Sequence, residues 1–439
     1  MRIFSDTEEA KKFLGRHADL ETIPQAVTQR IEAIFGRTMT PQEVVSNILT
    51  RVRSEGDSAI KELTQQIDGI ELQELEVSQT TVLDAFSSLP KGLEEALNIA
   101  TKRVSEFADV SVPKTWFDEK TGLGEKIVPL DRVGIYAPGG TAAYPSTVIM
   151  AVSIAKAAGV REVILCTPAR DGVNPNPSVL AAAQIAGVDR VFRIGGAQAL
   201  GAMAYGTQTL PKVDKICGPG NIFVTIAKQQ LYGQVGIDGI FGPTETVVVA
   251  DESADPVLCA ADLLGQAEHD VMAAPIFITV SSALLDQVNE QIRLQVDRLE
   301  RREIAVAALE GQGALILVES MKEAIELANF VAPEHLCINT QKPWELVPLI
   351  TNAGGVFLGE FSSEVMGDYV AGPSHALPTH GTARFASYLG ADQFVKRIPI
   401  VALSKDDAVR LAPTAATIAY AEGFTGHAKA AELRSRRDS

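Results

Sequence analysis

The chain has 439 residues, too many for one ordinary hydrophobic core, so two to four domains are expected. Hydrophobic residues make up 46% and charged residues 21%, a balance that excludes a disordered chain. Lys plus Arg number 39 against 55 Asp plus Glu, and the net charge of -16 argues against a nucleic-acid or anionic-membrane surface.

From the N-terminus, Met1-Arg2-Ile3-Phe4-Ser5-Asp6 turns acidic at once and has no apolar signal core. No uncharged stretch of membrane-spanning length follows. The four cysteines, Cys166, Cys217, Cys259 and Cys337, have no paired spacing and suit a reducing compartment. A soluble cytoplasmic protein is the expectation. Residues 1 to about 112 read as helices, with Thr40 capping a helix that starts at Pro41 and further amphipathic segments opening at Asp57, Ser78 and Pro90. His17 stands alone and is read as an ordinary surface or packing histidine.

After Trp116 the texture changes. Arg132–Tyr136 is a short apolar strand running into Pro138-Gly139-Gly140, a helix follows from about Ser146 to Ala158, and Val163–Cys166 is the next strand. Ala158-Gly159-Val160 and Ala186-Gly187-Val188 repeat one pattern of helix end, glycine turn and strand start. Further strands are predicted at 192–194 and 213–216. Strands alternating with helices in this way predict a parallel sheet of βαβ units. These strands end in glycine-rich turns, Pro138-Gly139-Gly140, Gly195-Gly196-Ala197-Gln198 and Gly218-Pro219-Gly220-Asn221, where open α/β sheets bind ligands. None is a true GxGxxG, and each glycine equally suits a plain tight turn.

A second alternating set starts after Gly242-Pro243-Thr244-Glu245, with strands at 247–250, 276–280, 314–318, 336–339 and 356–358. Its helices are predicted at 256–268, 283–302, 320–331 and 343–351. The class is therefore α/β, with two Rossmann-like parallel-sheet domains and small helical N- and C-terminal segments. The boundaries expected are 1–32 for the N-terminal helical segment, 33–135 together with 244–383 for one α/β domain, 136–243 for the other, and 384–439 for a helical tail. That tail is too small to stand alone and needs another domain or subunit to pack on.

Gln266 and His269, three apart at the end of a predicted helix, share one face and can converge on one point, which makes half of a metal site. Glu268 points elsewhere. Pro333-Glu334-His335-Leu336 lies between a helix and a strand, so an acid and an imidazole reach one pocket; a neutral His can take a proton and the carboxylate can activate water. Each dipeptide alone would equally be a solvated turn. Gly359–His380 is rich in glycine and proline, carries Asp368, His375 and His380, and reads as a functional loop. Glu422 and His427 are five apart with two glycines between them, so a bend could bring both to one site. Cys217 ends a strand before Gly218-Pro219-Gly220-Asn221, where a thiolate nucleophile could be activated or a small buried thiol could simply pack.

Taken together these segments resemble the histidinol dehydrogenase family over essentially the whole chain. The likeness rests on Tyr136–Gly140 through Pro145-Ser146, Gly195–Ala199, Gly218–Asn221, Gly242–Glu245, Gln266–His269, Ala332–Leu336 and Gly367-Asp368-Tyr369. It continues through His375–Thr379, Gly381–Phe385 and the terminal Glu422–His427. Three positions depart from it: Thr244 stands where many members have Ser, Ser374 where Asn is frequent, and His380 where Gly is common.

The resemblance implies oxidation of L-histidinol to L-histidine in two NAD-dependent hydride transfers through L-histidinaldehyde, the last step of histidine biosynthesis. It implies one zinc ion per subunit held by Gln266, His269, Asp368 and His427, orienting the substrate. His335 would be the general base and Glu334 would activate water. Tyr136, Gln198 and Asn221 match the NAD contacts. Thr244, Gln266, His269, His335, Asp368, Glu422 and His427 match the substrate contacts. It also implies a homodimer whose C-terminal segment packs across to the partner, so that each active site is shared. Three rivals stand beside it: a zinc hydrolase, an aldehyde dehydrogenase using Cys217, and a non-enzymatic nucleotide-binding module.

Overall fold

The computed structural model describes residues 1–15, 25–139, 143–169 and 174–435. His17 and Gly140 lie outside the described residues. In chain order the strands are β1 (Arg2–Phe4), β2 (Trp116–Asp118), β3 (Leu123–Pro129), β4 (Arg132–Tyr136), β5 (Glu162–Cys166), β6 (Arg190–Phe192) and β7 (Lys215–Cys217). They continue with β8 (Gly236–Ile237), β9 (Glu245–Ala250), β10 (Ala274–Thr279), β11 (Ala314–Leu317), β12 (His335–Asn339), β13 (Gly355–Leu358) and β14 (Val395–Val401). Two units pack separately: residues 1–111 with 130–394, and residues 112–129 with 395–439.

The first unit contains the two parallel sheets that the alternating pattern predicts. One has the order β6-β5-β4-β7-β8 and the other β1-β11-β10-β9-β12-β13. Their central strands read as near-continuous apolar runs because both faces are covered by helices. Every residue of β9 and of β10 is buried. The two faces of the second sheet feed two cores, one around Val248, Phe277, Leu315 and Cys337, the other around Val247, Ile276, Ile316 and Leu336. Alternation along each strand sends neighbouring side chains to opposite cores.

Helix starts follow their local signals. Thr40 caps Pro41–Glu55 in a full capping box with Glu43, and Asp255 caps Pro256–Ala267. Tertiary packing was less legible. The N-terminal segment, expected to be helical throughout, opens with β1, which adds a parallel edge to β11. The helices of 33–111, expected to join 244–383, pack instead on the β4–β8 sheet. Val44, Ile48, Leu49 and Val52 share a core with Phe192, Leu200 and Met203, and helix Lys91–Ser111 packs on helix Pro145–Ala157. Their apolar stripes are complementary to the small-residue helix Gly196–Tyr205, where Gly201 lets Leu49 and Val52 approach closely.

The second unit is not all helix. β14 pairs antiparallel with β3, and β3 with β2, giving the order β14-β3-β2. The expected helical tail from 384 thus contains a strand, because Val395, Ile398, Ile400 and Val401 are β-branched and Pro399 is tolerated on an edge. Helices Lys405–Ala421 and Thr425–Arg434 then pack on each other. No helix among the described residues is long and apolar enough to cross a membrane.

Candidate active site

A cavity of about 570 Å³ in the first unit is walled by the strand-end turns of both sheets. From the β4–β8 side come Pro138, Pro219, Gly220 and Asn221. From the other side come Thr244, Gln266, His269, Glu334, His335 and Asp368. Six of the residues singled out in the sequence for metal, substrate or acid–base roles thus meet on one wall.

Each is placed by its element. Glu334 follows helix Met321–Val331, whose cap Ala332 takes a left-handed conformation (φ 52), and His335 opens β12. Both are buried. Helix Pro256–Ala267 ends at Ala267, earlier than the single helical face expected for Gln266 and His269. A turn with His269 N–H donating to Gln266 O (3.1 Å) still leaves both on the cavity wall. Glu268 lines a different cavity, as its position beside His269 predicts. Asp368 lies on the short helix Glu364–Tyr369, inside the stretch read as a loop.

The side chains form one network. His335 Nε2 lies 3.2 Å from Asp368 Oδ1, and His335 Nδ1 lies 3.7 Å from Glu334 Oε2. Gln266 Nε2 donates to Asp368 Oδ2 (3.3 Å), and Thr244 Oγ1 stands 2.8 Å from Gln266 Oε1 and 2.6 Å from Glu334 Oε2. The N–H of Glu245 donates to the same Glu334 oxygen (3.2 Å). Burial pushes Glu334 up to about 7, against the opposing pull of His335. Burial alone would lower His335, but the Glu334 charge and the Asp368 hydrogen bond outweigh it and push the imidazole up to about 10. Burial works to raise Asp368, yet the hydrogen bond and charge of His335 hold it below its ordinary value. Withdrawal from water by the cavity walls lowers His269, which keeps a neutral ring with a free lone pair. Together the network holds an imidazole at His335 that keeps its proton, a carboxyl poised near neutrality, an ionised carboxylate and a neutral imidazole at His269.

His375, given no role in the sequence, belongs here too: its Nδ1 lies 2.9 Å from the Asp368 backbone oxygen, and it lines the same cavity. Its signals were its place in the Gly- and Pro-rich stretch and its position at the head of the His375–Thr379 motif.

On the nucleotide side, Tyr136 ends β4 with its hydroxyl accepting the Gly196 N–H (3.0 Å), and burial pushes its phenol up to about 12. Gln198 is buried and its Nε2 has no partner among the described residues, an orphaned donor at the end of the sheet. Asn221 caps helix Ile222–Leu231, accepting from Phe223 and Val224 N–H. Of these three, Asn221 lines the cavity, while Tyr136 and Gln198 are buried and do not. Gly218 must be glycine, because its φ is +124 and a Cβ would meet the Tyr136 carbonyl oxygen. The buried pair Lys228–Asp238 (2.6 Å) braces this turn, with Asp238 accepting the Gly218 N–H (2.7 Å).

Cys217 is fully buried and burial pushes its thiol up to about 12, so it is a packing residue and not an activated nucleophile. Glu422 and His427 belong to the second unit, at the end of helix Lys405–Ala421 and on helix Thr425–Arg434, and both are exposed. Among the described residues no group of three or more His, Cys, Asp or Glu side chains is arranged to hold a metal ion. Of the expected four ligands the first unit supplies two of these types, His269 and Asp368, together with the amide of Gln266. All three face one cavity, and nitrogen and oxygen donors of this kind suit a divalent cation.

The histidinol dehydrogenase family profile matches residues 36–435. A histidinol dehydrogenase of Lactiplantibacillus plantarum is 46% identical over 421 residues, covering 95% of this chain and 97% of that protein. One from Aquifex aeolicus is 45% identical over 427 residues, covering 95% and 99%. The solved structure of histidinol dehydrogenase from Elizabethkingia anophelis superposes with a TM-score of 0.91 at 33% identity, covering 99% of this chain and 98% of that one. With its profile match running through both units and its relatives aligned nearly end to end, this chain belongs to the histidinol dehydrogenase family.

Proposed function

We propose that the protein oxidises L-histidinol to L-histidine in two NAD-dependent steps through L-histidinaldehyde, closing histidine biosynthesis. The observation that carries this reading is the Glu334–His335–Asp368 cluster at the wall of a cavity that also reaches the Asn221 turn of the other sheet. NAD, when bound, supplies the acceptor for each hydride. Zinc, when bound, supplies a template that orients substrate nitrogens.

The chain's own residues do the rest. Gln266, His269 and Asp368 would hold the cation from the first unit, and His427 would complete the set. Once its ring has given up the proton that Glu334 and Asp368 hold on it, His335 takes the alcohol proton on its imidazole as hydride departs, and the same carboxylates stabilise the imidazolium that forms again. Glu334 removes a proton from water, which adds to the aldehyde to give its hydrate. A carboxyl shifted towards neutrality suits that work, since it can take a proton and return it. His335 assists again as the hydrate loses the second hydride. Thr244 joins Glu334 to Gln266 and so couples the water-activating group to the substrate-orienting side.

On the other sheet, Tyr136, Gln198 and Asn221 would hold NAD. The orphaned Gln198 Nε2 offers an amide donor, and the helix N-terminus at Asn221 favours anionic groups. The exposed Glu422 and His427 would contact substrate bound to a partner, in a homodimer with shared active sites.

The test is NADH formation from L-histidinol before and after chelation and after zinc is restored. Activity that disappears and returns with zinc supports the reading. Activity indifferent to metal removes zinc from it, and no NADH from a folded, zinc-loaded protein overturns it.

A further inference from the structure

Near His335 sits a carboxyl that the reaction above leaves without a task. Glu364 is fully buried, at the first position of the short helix that carries Asp368. Residues four apart on a helix share a face, so this one turn presents two acids in the same direction. Asp368 meets His335 Nε2 (3.2 Å). Glu364 is clasped by the neighbours of that histidine: Thr246 Oγ1 donates to its Oε2, and the Cys337 thiol donates to the same oxygen (3.6 Å).

Those two partners are the residues that frame His335 in the sheet. Thr246 of β9 is its direct register partner, and Cys337 lies two residues along β12, on the same face. The other carboxyl oxygen, Glu364 Oε1, is buried with no hydrogen-bond partner among the described residues, and so is His335 Nδ1. An unpaired buried carboxyl oxygen is costly to keep, and neither core packing nor the Thr246 bond accounts for it. A second tie fixes the same helix end, since Ser363 Oγ donates to Asp262 Oδ1 (2.7 Å) on the helix that carries Gln266.

We propose that Glu364 is a positioning residue for His335. It pins the Asp368-bearing helix to the strand that carries the base, and keeps a carboxylate near the imidazole as it gains its proton. Among buried side chains, fixed negative charge there stabilises the imidazolium more than the neutral ring. The charged and titratable groups facing the pair are Glu334, Asp368, His269 and His375 around His335, and Asp262 and Cys337 around Glu364. This role rests on the reaction proposed above.

The experiment is steady-state NADH formation from L-histidinol by the zinc-loaded wild type, by Glu364→Gln and by Thr246→Val. Glu364→Gln keeps the size and the Thr246 contact but removes the charge. The expected result is a kcat lowered roughly tenfold to a hundredfold with KM for histidinol within about threefold. Thr246→Val, which keeps the carboxyl and releases one of its ties, should lower kcat in the same way by a smaller factor. If Glu364→Gln does not fold, Thr246→Val decides alone. Wild-type kcat in a folded variant, or a loss confined to KM or to thermal stability, overturns the positioning role. A wild type that makes no NADH from histidinol sinks the reaction itself, and with it the role given to Glu364.

Discussion

Thr244 Oγ1 lies 2.6 Å from Glu334 Oε2 and 2.8 Å from Gln266 Oε1, and the hydroxyl has one proton for two acceptors. The Gln266 amide already donates through Nε2 to Asp368, so its oxygen faces Thr244. The hydroxyl thus stands between two acceptors and ties the Glu334 carboxyl to the Gln266 amide. Burial pushes that carboxyl up to about 7, with the Thr244 hydrogen bond among the pulls against it. Thr244→Ser, which keeps the hydroxyl, should leave kcat within about threefold. Thr244→Val removes the link and should lower kcat by roughly tenfold to a hundredfold, measured as NADH formation at saturating substrate.

Glu334 and His335 are adjacent, but the chemistry assigned to them differs between the two oxidations. Only the aldehyde step consumes water. Glu334→Gln should therefore slow oxidation of L-histidinaldehyde by about 10²–10⁴ while the first hydride transfer falls far less. Single-turnover NADH formation, started separately from the alcohol and from the aldehyde, reads this directly. Equal loss in both steps would make Glu334 a support for His335 and leave water activation unassigned.

Much of the fold is local and was therefore legible. Thr40-Pro41 marks a helix start within four residues, and the buried strands β9 to β12 show as apolar runs. Glu334, His335, Gln266 and Asp368 were visible because each sits in a distinctive short motif. What escaped depends on partners distant in the chain. β14 carries Lys396, Arg397 and Pro399, and its strand state is set by pairing with β3, more than 260 residues earlier by number. Glu364 looks like any acid at a helix start; Thr246 and Cys337, which hold it, come from two strands that only the folded sheet brings together. The packing of 41–55 on the β4–β8 sheet turns on Gly201, a residue with no signal of its own.

The buried thiols give a sharper test against a cysteine mechanism. All four cysteines are free and buried, and burial pushes Cys217 up to about 12. Cys217→Ser should keep NADH formation within about threefold, and iodoacetamide at pH 8 should leave the native enzyme active. Loss of more than about 10²-fold in a folded Cys217→Ser variant would bring back a thioester route.

Glu422 and His427 are carried by the separately packed second unit, while His335 belongs to the first. In a homodimer with shared sites, a protomer lacking His335 can lend a sound tail to a protomer lacking His427. Mixing inactive His335→Asn and His427→Ala proteins, then allowing subunits to exchange, should restore roughly a quarter to a half of one wild-type site per dimer. No recovery, with exchange verified by mass, would place all the residues of each site on one chain.

Glu364 also predicts how stability varies with pH. Burial pushes its carboxyl up to about 7 from an ordinary 4.5, with Thr246 and His335 pulling the other way. A group whose folded value is raised binds more protons in the native state than in the unfolded one between those two values, so stability falls as pH rises through that window. The favourable contribution is complete below about 4.5 and is lost as pH passes about 7. Glu364→Gln cannot ionise, so its Tm relative to wild type should rise by roughly a few degrees between pH 5 and pH 8. Thermal unfolding at both pH values, at one fixed zinc content, reads the difference. A Tm gap unchanged across that range would mean the carboxyl is already ionised in the native core at pH 5, its charge held there by Thr246 and His335. Combined with a lowered kcat, the expected gain in stability would identify Glu364 as a residue that the fold would be steadier without and the reaction would be slower without.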